Sequence, residues 1–259
     1  MPPVVESYAG LAAEILRRPA RLGRTRLVAV DGPSGAGKTV FAGRLAAALG
    51  TALGTAPPGT APPGTAPPGT APPGTAPPGT APPGTAPLRT VPSGTVRGGT
   101  VPSGTARGGP ETPVVNTDDL LDGWADQFTF WHRLDEWVLA PLRAGLPGRY
   151  RRYDWTRGRF GDDWIVVPPA PVLVLEGVSS ARSAVAAELT LGVFVTAPAE
   201  LCRARTLARD GAALLPQLDT WRRGERAHFA ADRTAERAER VVDGAAVPDP
   251  DGTAFVRIR

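Results

Sequence analysis

The sequence predicts an α/β fold in which a central parallel sheet of five strands carries helices on both faces. Three observations lead there. Compact apolar runs such as "RLVAVDG" (26–32), "PAPVLVLEGV" (169–178) and "LTLGVFVTAP" (189–198) have the makeup of strands buried on both sides. Longer stretches with helical spacing of apolar residues stand between them, which is the pattern of a sheet built from crossover units. The first strand also runs directly into a glycine-rich turn, "DGPSGAGKTV" (31–40), followed by a helical stretch.

Taken in order, residues 4–18 read as a short amphipathic helix, with Val4, Val5, Tyr8, Leu11, Ala12, Ile15 and Leu16 at near-helical spacing. After the strand at 26–32, "KTVFAGRLAAAL" (38–49) predicts a helix that stops at Gly50. From Gly54 to Pro83 the pentapeptide GTAPP repeats six times, GTAPL follows at 84–88, and a ten-residue repeat, "TVPSGTVRGG" and "TVPSGTARGG", ends at Gly109. Proline removes backbone donors, glycine adds chain entropy, and little apolar area is available to bury, so residues 51–110 are expected to be a disordered, polyproline-II-like insertion within a single domain spanning 1–259. Such a segment is either inert or a docking site for a proline-recognising partner. Order resumes with "TPVVNTDD" (112–119), a strand ending on two carboxylates, then an aromatic-rich, mostly helical stretch at 119–147. Beyond the strands at 169–178 and 189–198 come an arginine-rich helix through Arg209, a long helix at 216–239, a short strand "RVVDG" (240–244) and an edge strand at "FVRI" (255–258).

Composition narrows the function classes. The net charge of +4 is spread among acidic residues with no block of like charges, which argues against a nucleic-acid partner. Cys202 is the single cysteine, so no intramolecular disulfide can form, and a reducing, cytoplasmic setting is expected. The first residues lack a basic start followed by an apolar run, and no apolar stretch is long enough to span a membrane.

Lys38 is the only lysine in the chain; the other basic residues are all arginine. It falls in "GPSGAGKT" (32–39), the phosphate-loop pattern G-x-x-x-x-G-K-[ST], between a predicted strand and a predicted helix. Glycines at such spacing let successive backbone N–H groups turn inward around phosphate oxygens, and the helix N-terminus adds partial positive charge. Gly32, Ser34, Gly35, Ala36, Gly37, Lys38, Thr39 and Val40 are therefore the expected ATP-binding residues. A compact ammonium on a flexible stem suits a phosphate cluster where a wide planar guanidinium does not. Thr39 would place its hydroxyl in the shell of Mg²⁺. Asp118, at the carboxyl end of a strand, can bind Mg²⁺ through water or accept a proton from an attacking hydroxyl. Asp119 is expected to cap the following helix. Glu176, a charge closing an apolar strand, is a further candidate for holding Mg²⁺.

The order GPSGAGKT, a strand ending in DD, "YRRYDW", "VLVLEGV" and "RARTLARD" resembles the uridine kinase family of P-loop nucleoside kinases, over nearly all of the chain outside the repeats. The resemblance implies a P-loop kinase fold and transfer of the γ-phosphoryl group of ATP, with Mg²⁺, to a hydroxyl of a small acceptor such as uridine or cytidine. It implies Asp118 as the base, Tyr153 beside the acceptor with Asp154 and Trp155 next to it, and Arg203 or Arg205 together with Arg209 as lid arginines. Two positions depart from the family pattern. Gly158 stands where a histidine reads the pyrimidine, and Phe130 where an aspartate holds the ribose. Both departures fall on the acceptor side, so a different alcohol, such as pantothenate or a sugar phosphate, is the alternative acceptor. A nucleotide-dependent switch or scaffold without a small acceptor is the alternative from another class.

Overall fold

A computed structural model describes residues 2–55, 111–249 and 251–259. The chain begins with β1 (Val4–Ser7), α1 (Tyr8–Arg17), β2 (Arg26–Asp31) and α2 (Lys38–Thr55). β3 (Val114–Asn116) follows, then 3₁₀ turns and a broken helix made of α3 (Trp131–Leu134), a π-turn over Asp135–Leu139, and α4 (Ala140–Arg143). Next come four short strands, β4 (Gly148–Tyr150), β5 (Tyr153–Asp154), β6 (Arg159–Phe160) and β7 (Ile165–Val167), and then β8 (Val172–Glu176) and β9 (Leu189–Thr196). The chain closes with α5 (Ala199–Asp210), α6 (Leu215–Asp232), α7 (Thr234–Arg237), β10 (Arg240–Asp243) and β11 (Ala254–Arg257).

Seven strands form the main sheet in the order β1-β11-β10-β9-β2-β8-β3. Five of them, β10, β9, β2, β8 and β3, are mutually parallel, which matches the parallel part of the expectation, but the sheet has two strands more than the five expected. β11 adds antiparallel to β10, and β1 antiparallel to β11. Successive residues of β2 face opposite ways: Val28 and Val30 enter the core under α1 and α2, while Leu27 and Ala29 enter the core under α3 and α4. A strand with both faces covered must be apolar throughout, which is why this one carries no alternation. The parallel connections leave β2 toward β3 on one side and later reach β9 on the other. The crevice at the carboxyl end of β2 is thus the topological switch point, where α/β sheets bind ligands.

Several expectations are corrected. Residues 4–7 are strand, not helix: Val4 and Val5 are β-branched and pair with β11, and the helix begins only where the Ser7 side chain accepts a hydrogen bond from the Gly10 N–H at 3.0 Å. "FVRI" is paired on both sides, because β1 takes the edge that its alternation suggests for it. α2 passes through Gly50 to Thr55, so residues 51–55 belong to the helix; the rest of the predicted insertion, 56–110, lies outside the described residues. The long helix expected at 216–239 breaks at Arg233, whose φ of 53° is left-handed. The stretch 119–147 is helical only in pieces, and the two hairpin pairs β4–β7 and β5–β6 were not foreseen. Among the described residues no helix is long and apolar enough to cross a membrane.

α2 runs away from the carboxyl edge of the sheet, and β3 runs toward it, so Thr55 and Val114 both lie at the edge opposite the switch point. Replacing 56–110 with a Gly/Ser linker of about ten residues should leave cooperative unfolding intact. It should raise stability by about 1 kcal/mol through the shorter loop closure. Thermal denaturation of the two proteins tests this, and a lower Tm in the shortened chain contradicts it.

Candidate active site

The phosphate-loop sequence occupies the switch point, between the end of β2 and the first turn of α2. Gly35 shows why glycine is required: its φ is +82°, and a side chain there would run into the backbone of Cys202 on α5. Ala36 donates its N–H to the Pro33 carbonyl at 3.1 Å, tightening the turn. Lys38 opens α2 and is only 7 % exposed; its Nζ donates to the Pro33 carbonyl at 3.1 Å, so the ammonium lies across the loop. Thr39 follows it, and its Oγ1 donates to Glu176 Oε1 at 3.2 Å. Val40 is exposed.

Three carboxylates surround this point from the ends of three adjacent strands. Asp31 ends β2, is fully buried, and accepts hydrogen bonds from the N–H groups of Gly32 (2.7 Å), Ser179 (2.9 Å) and Ala181 (2.9 Å). Burial pushes its pKa up to about 6, against the pull of those N–H groups and of Lys38. Glu176 ends β8, pairs in register with Val30 and Asn116, and accepts from Asn116 Nδ2 at 2.8 Å. Burial raises it to about 7; Lys38 opposes the rise and Asp118 adds to it. Asp118 follows β3 in a 3₁₀ turn. It is open to solvent yet flanked closely enough by protein that desolvation raises its carboxyl above the usual range, against Lys38 and Arg209. Being open to water, it feels these charges with screening.

The structure redistributes several expected roles. Asp119 does not cap a helix: the Asn116 side chain caps the turn by accepting from the Asp118 N–H at 2.9 Å, and Asp119 instead pairs with Arg152 at 3.1 Å and accepts from the Tyr150 hydroxyl at 3.3 Å. Arg205 donates to the carbonyls of Gly35 (3.2 Å) and Gly244 (3.0 Å), clamping the phosphate loop to the turn after β10. Arg209 pairs with Asp210 at 2.6 Å and exerts its field on Asp118 and Glu176. Arg203 pairs with Asp219 on α6. Tyr153 is buried against Trp155 and Phe160, with ring centroids 5.1 and 5.3 Å away. Trp155 is partly exposed and meets Trp124 edge-on at 5.3 Å, and Trp124 meets Trp221 at 5.7 Å. Asp154 accepts from the N–H groups of Thr156 (2.9 Å) and Arg157 (3.0 Å), holding the turn of the β5–β6 hairpin. Phe130 is fully buried core, and Gly158 is a left-handed residue of that same turn.

Three participants escaped the sequence reading. Asp31 was readable by the logic applied to Glu176, a carboxylate closing an apolar strand. Trp221 and Glu225 sit on α6 in a buried stripe with Leu218, and the signal was a carboxylate at helical spacing on an apolar face. Trp221 Nε1 donates to Ser34 Oγ at 3.2 Å, so α6 touches the phosphate loop directly.

Donors for a divalent ion are one hydroxyl, Thr39, beside one carboxylate, Glu176, with Asp118 close enough to shift the titration of Glu176. No group of three His, Cys, Asp or Glu converges as a cage among the described residues. Few hard oxygen ligands suit Mg²⁺, which keeps much of its water and takes phosphate oxygens.

The raised carboxyls make stability fall with pH. Asp31 and Glu176 hold protons in the folded state over a range where the unfolded chain has released them, so the penalty grows as pH climbs from about 4 through about 7. For Glu176, with an ordinary value of 4.5, the full penalty is roughly 3 kcal/mol. Glu176→Gln, which can still bond Thr39 and Asn116, should raise Tm at pH 8 by about 5 °C or more and flatten the decline between pH 5 and pH 8. An unchanged pH profile of Tm would show that Glu176 ionises freely.

No family model and no curated protein matches this chain. Solved structures do. One is "Structure of a Possible Uridine Kinase from Bacillus stearothermophilus", with a TM-score of 0.52 and 13% identity over 90% of this chain and 96% of that one. Another is "Crystal structure of putative fructose transport system kinase from Silicibacter sp. TM1040", with a TM-score of 0.46 and 18% identity over 90% of this chain and 95% of that one. The first likeness shows that this chain shares the α/β fold of that structure, with a mostly parallel central sheet.

Proposed function

We propose that the protein is a Mg²⁺-dependent kinase that moves the γ-phosphoryl group of ATP to a hydroxyl of a small acceptor, in the first place a nucleoside such as uridine or cytidine. One observation carries this reading. The loop lysine and the metal-suited pair Thr39–Glu176 meet at the N-terminus of α2, so a phosphate cradle and a divalent-ion shelf form a single site.

In this reading the loop N–H groups and Lys38 hold the β- and γ-phosphates. Thr39 and Glu176, with Asp118 nearby, would hold Mg²⁺, which would supply charge neutralisation for the phosphates. Asp118 orients the acceptor hydroxyl and takes its proton as the oxygen attacks γ-phosphorus. The bond to the β–γ bridging oxygen breaks, and its electron pair leaves with ADP. An upward-shifted carboxyl is a better proton acceptor than an ordinary one, which suits that role. Arg209, whose field reaches Asp118 and Glu176, would stabilise the transferring group once freed from Asp210. Positioning and electrostatics dominate because the transition state is loose. Trp155 and Trp124, backed by the buried Tyr153 ring, would offer aromatic surface to a planar acceptor.

The acceptor side also supports a second reading. Phe130 is committed to the core and Gly158 to a hairpin turn, so neither can supply the polar contacts their places would need for a pyrimidine nucleoside. A different small alcohol, including pantothenate or a sugar phosphate, is the acceptor in that case.

A panel of acceptors with ADP detection separates the two. Lys38→Ala should lower kcat/KM by at least about 100-fold with every accepted substrate, and Asp118→Asn should lower kcat by roughly 100- to 10,000-fold with little change in the affinity for ATP. ADP formation that no acceptor stimulates, in a protein that binds Mg-ATP, would overturn the kinase reading.

A further inference from the structure

α6 presents Leu218, Trp221 and Glu225 as its buried stripe. The first two bury apolar surface. Glu225 is a carboxylate only 3 % exposed, a costly placement unless donors meet it. Those donors belong to the phosphate loop and to α6 itself. The Ser34 N–H donates to Glu225 Oε1 at 3.1 Å, the Ser34 hydroxyl donates to the same oxygen, and Trp221 Nε1 donates to it at 2.9 Å. Trp221 Nε1 also reaches Ser34 Oγ at 3.2 Å. One carboxylate oxygen thus ties a helix far along the chain to the rim of the loop.

We propose that Glu225 is a latch: an internal anion seated on the Ser34 corner of the phosphate loop, which a triphosphate must displace in order to bind fully. The proposal rests on the reading of this loop as a triphosphate site. An amide N–H makes one strong hydrogen bond, so the Ser34 N–H given to Glu225 is withheld from a phosphate oxygen. A carboxylate on the rim also repels the phosphate charge that the loop exists to attract, and at such short range in a partly dry site the repulsion is large. Release of Glu225 frees the Trp221 indole from its acceptor at the same time. α6 therefore moves with loop occupancy, and the two states compete for one set of donors.

The alternative is that Glu225 merely braces the loop in its binding shape. The two ideas predict opposite signs. Glu225→Gln removes the charge but keeps an oxygen for the Ser34 and Trp221 N–H groups, so the loop geometry survives. A latch predicts that this variant binds Mg-ATP about tenfold more tightly by calorimetry, with a lower KM for nucleotide; a brace predicts equal or weaker binding. Trp221→Phe, which removes one donor without touching charge, should shift affinity in the same direction by a smaller factor. It should also abolish most of the change in tryptophan emission that nucleotide causes in the parent protein. If Glu225→Gln fails to fold cooperatively, the Trp221→Phe result decides alone. Binding by the parent and both variants without any gain in affinity overturns the latch and leaves the nucleotide site standing. If none of the three binds Mg-ATP, Mg-GTP or another Mg-triphosphate, the nucleotide reading itself is overturned.

Discussion

The arrangement depends on one ammonium set among carboxylates that their surroundings push toward protonation. Lys38 acts against the upward shifts of Asp31, Asp118 and Glu176, which stand at the carboxyl ends of β2, β3 and β8 or just beyond. Parallel strands in register bring those ends to one edge, so the charge cluster is a consequence of the topology. It also explains why a chain otherwise committed to arginine keeps a lysine at 38. Lys38 itself is nearly closed to solvent and its Nζ lies against a loop carbonyl at 3.1 Å, a space for a compact cation on a flexible stem.

The cluster has a structural cost that the loop helps to offset. Asp31 receives three backbone N–H groups, two of them from the turn after β8, so the start of the phosphate loop and that turn are fastened through a single buried side chain. Arg205 fastens the outer side of the loop to the turn after β10. A loop rich in glycine loses much entropy on ordering. These ties from the turns after β8 and β10 place that loss in the folding of the domain rather than in any later binding step.

What was legible in the sequence follows the same physics. Strands buried on both faces announce themselves as unbroken apolar runs, and β2, β8 and β9 are visible that way, whereas β3 and β10 show only a Val-Val pair beside polar residues. The glycine-rich loop at 32–39 is visible because its residue types recur at the fixed spacing of the G-x-x-x-x-G-K-[ST] pattern. β1 looks helical in sequence because Val4, Val5 and Tyr8 satisfy helical spacing as well as strand propensity; the deciding fact, a partner strand at 254–257, lies at the far end of the chain. Asp119 was given a cap that Asn116 supplies, since local sequence cannot say which of two adjacent polar side chains turns back on the backbone. The short hairpins at 148–167 have strands of two or three residues, too brief to show a period. Glu225 was legible in principle, as a charge on a buried helical stripe, but its partner Ser34 is 191 residues away and only the fold joins them.

Trp221 links the two halves of the site. Its indole N–H meets Ser34 and Glu225 on the nucleotide side, while its ring meets Trp124, which in turn meets Trp155 beside Tyr153. Edge-on aromatic contacts have preferred geometry, and close-packed rings do not slide independently. A group that stacks on Trp124 or Trp155 therefore bears on Trp221, and through it on the carboxylate at the loop rim. Coupling of this kind is reciprocal: whatever a ligand beside Trp124 and Trp155 does to affinity at the loop, a ligand at the loop does to affinity beside those rings by the same factor. In the kinase proposed above that symmetry would be useful, because a loop that tightened on the triphosphate only when the acceptor side was filled would transfer phosphate to the acceptor in preference to water.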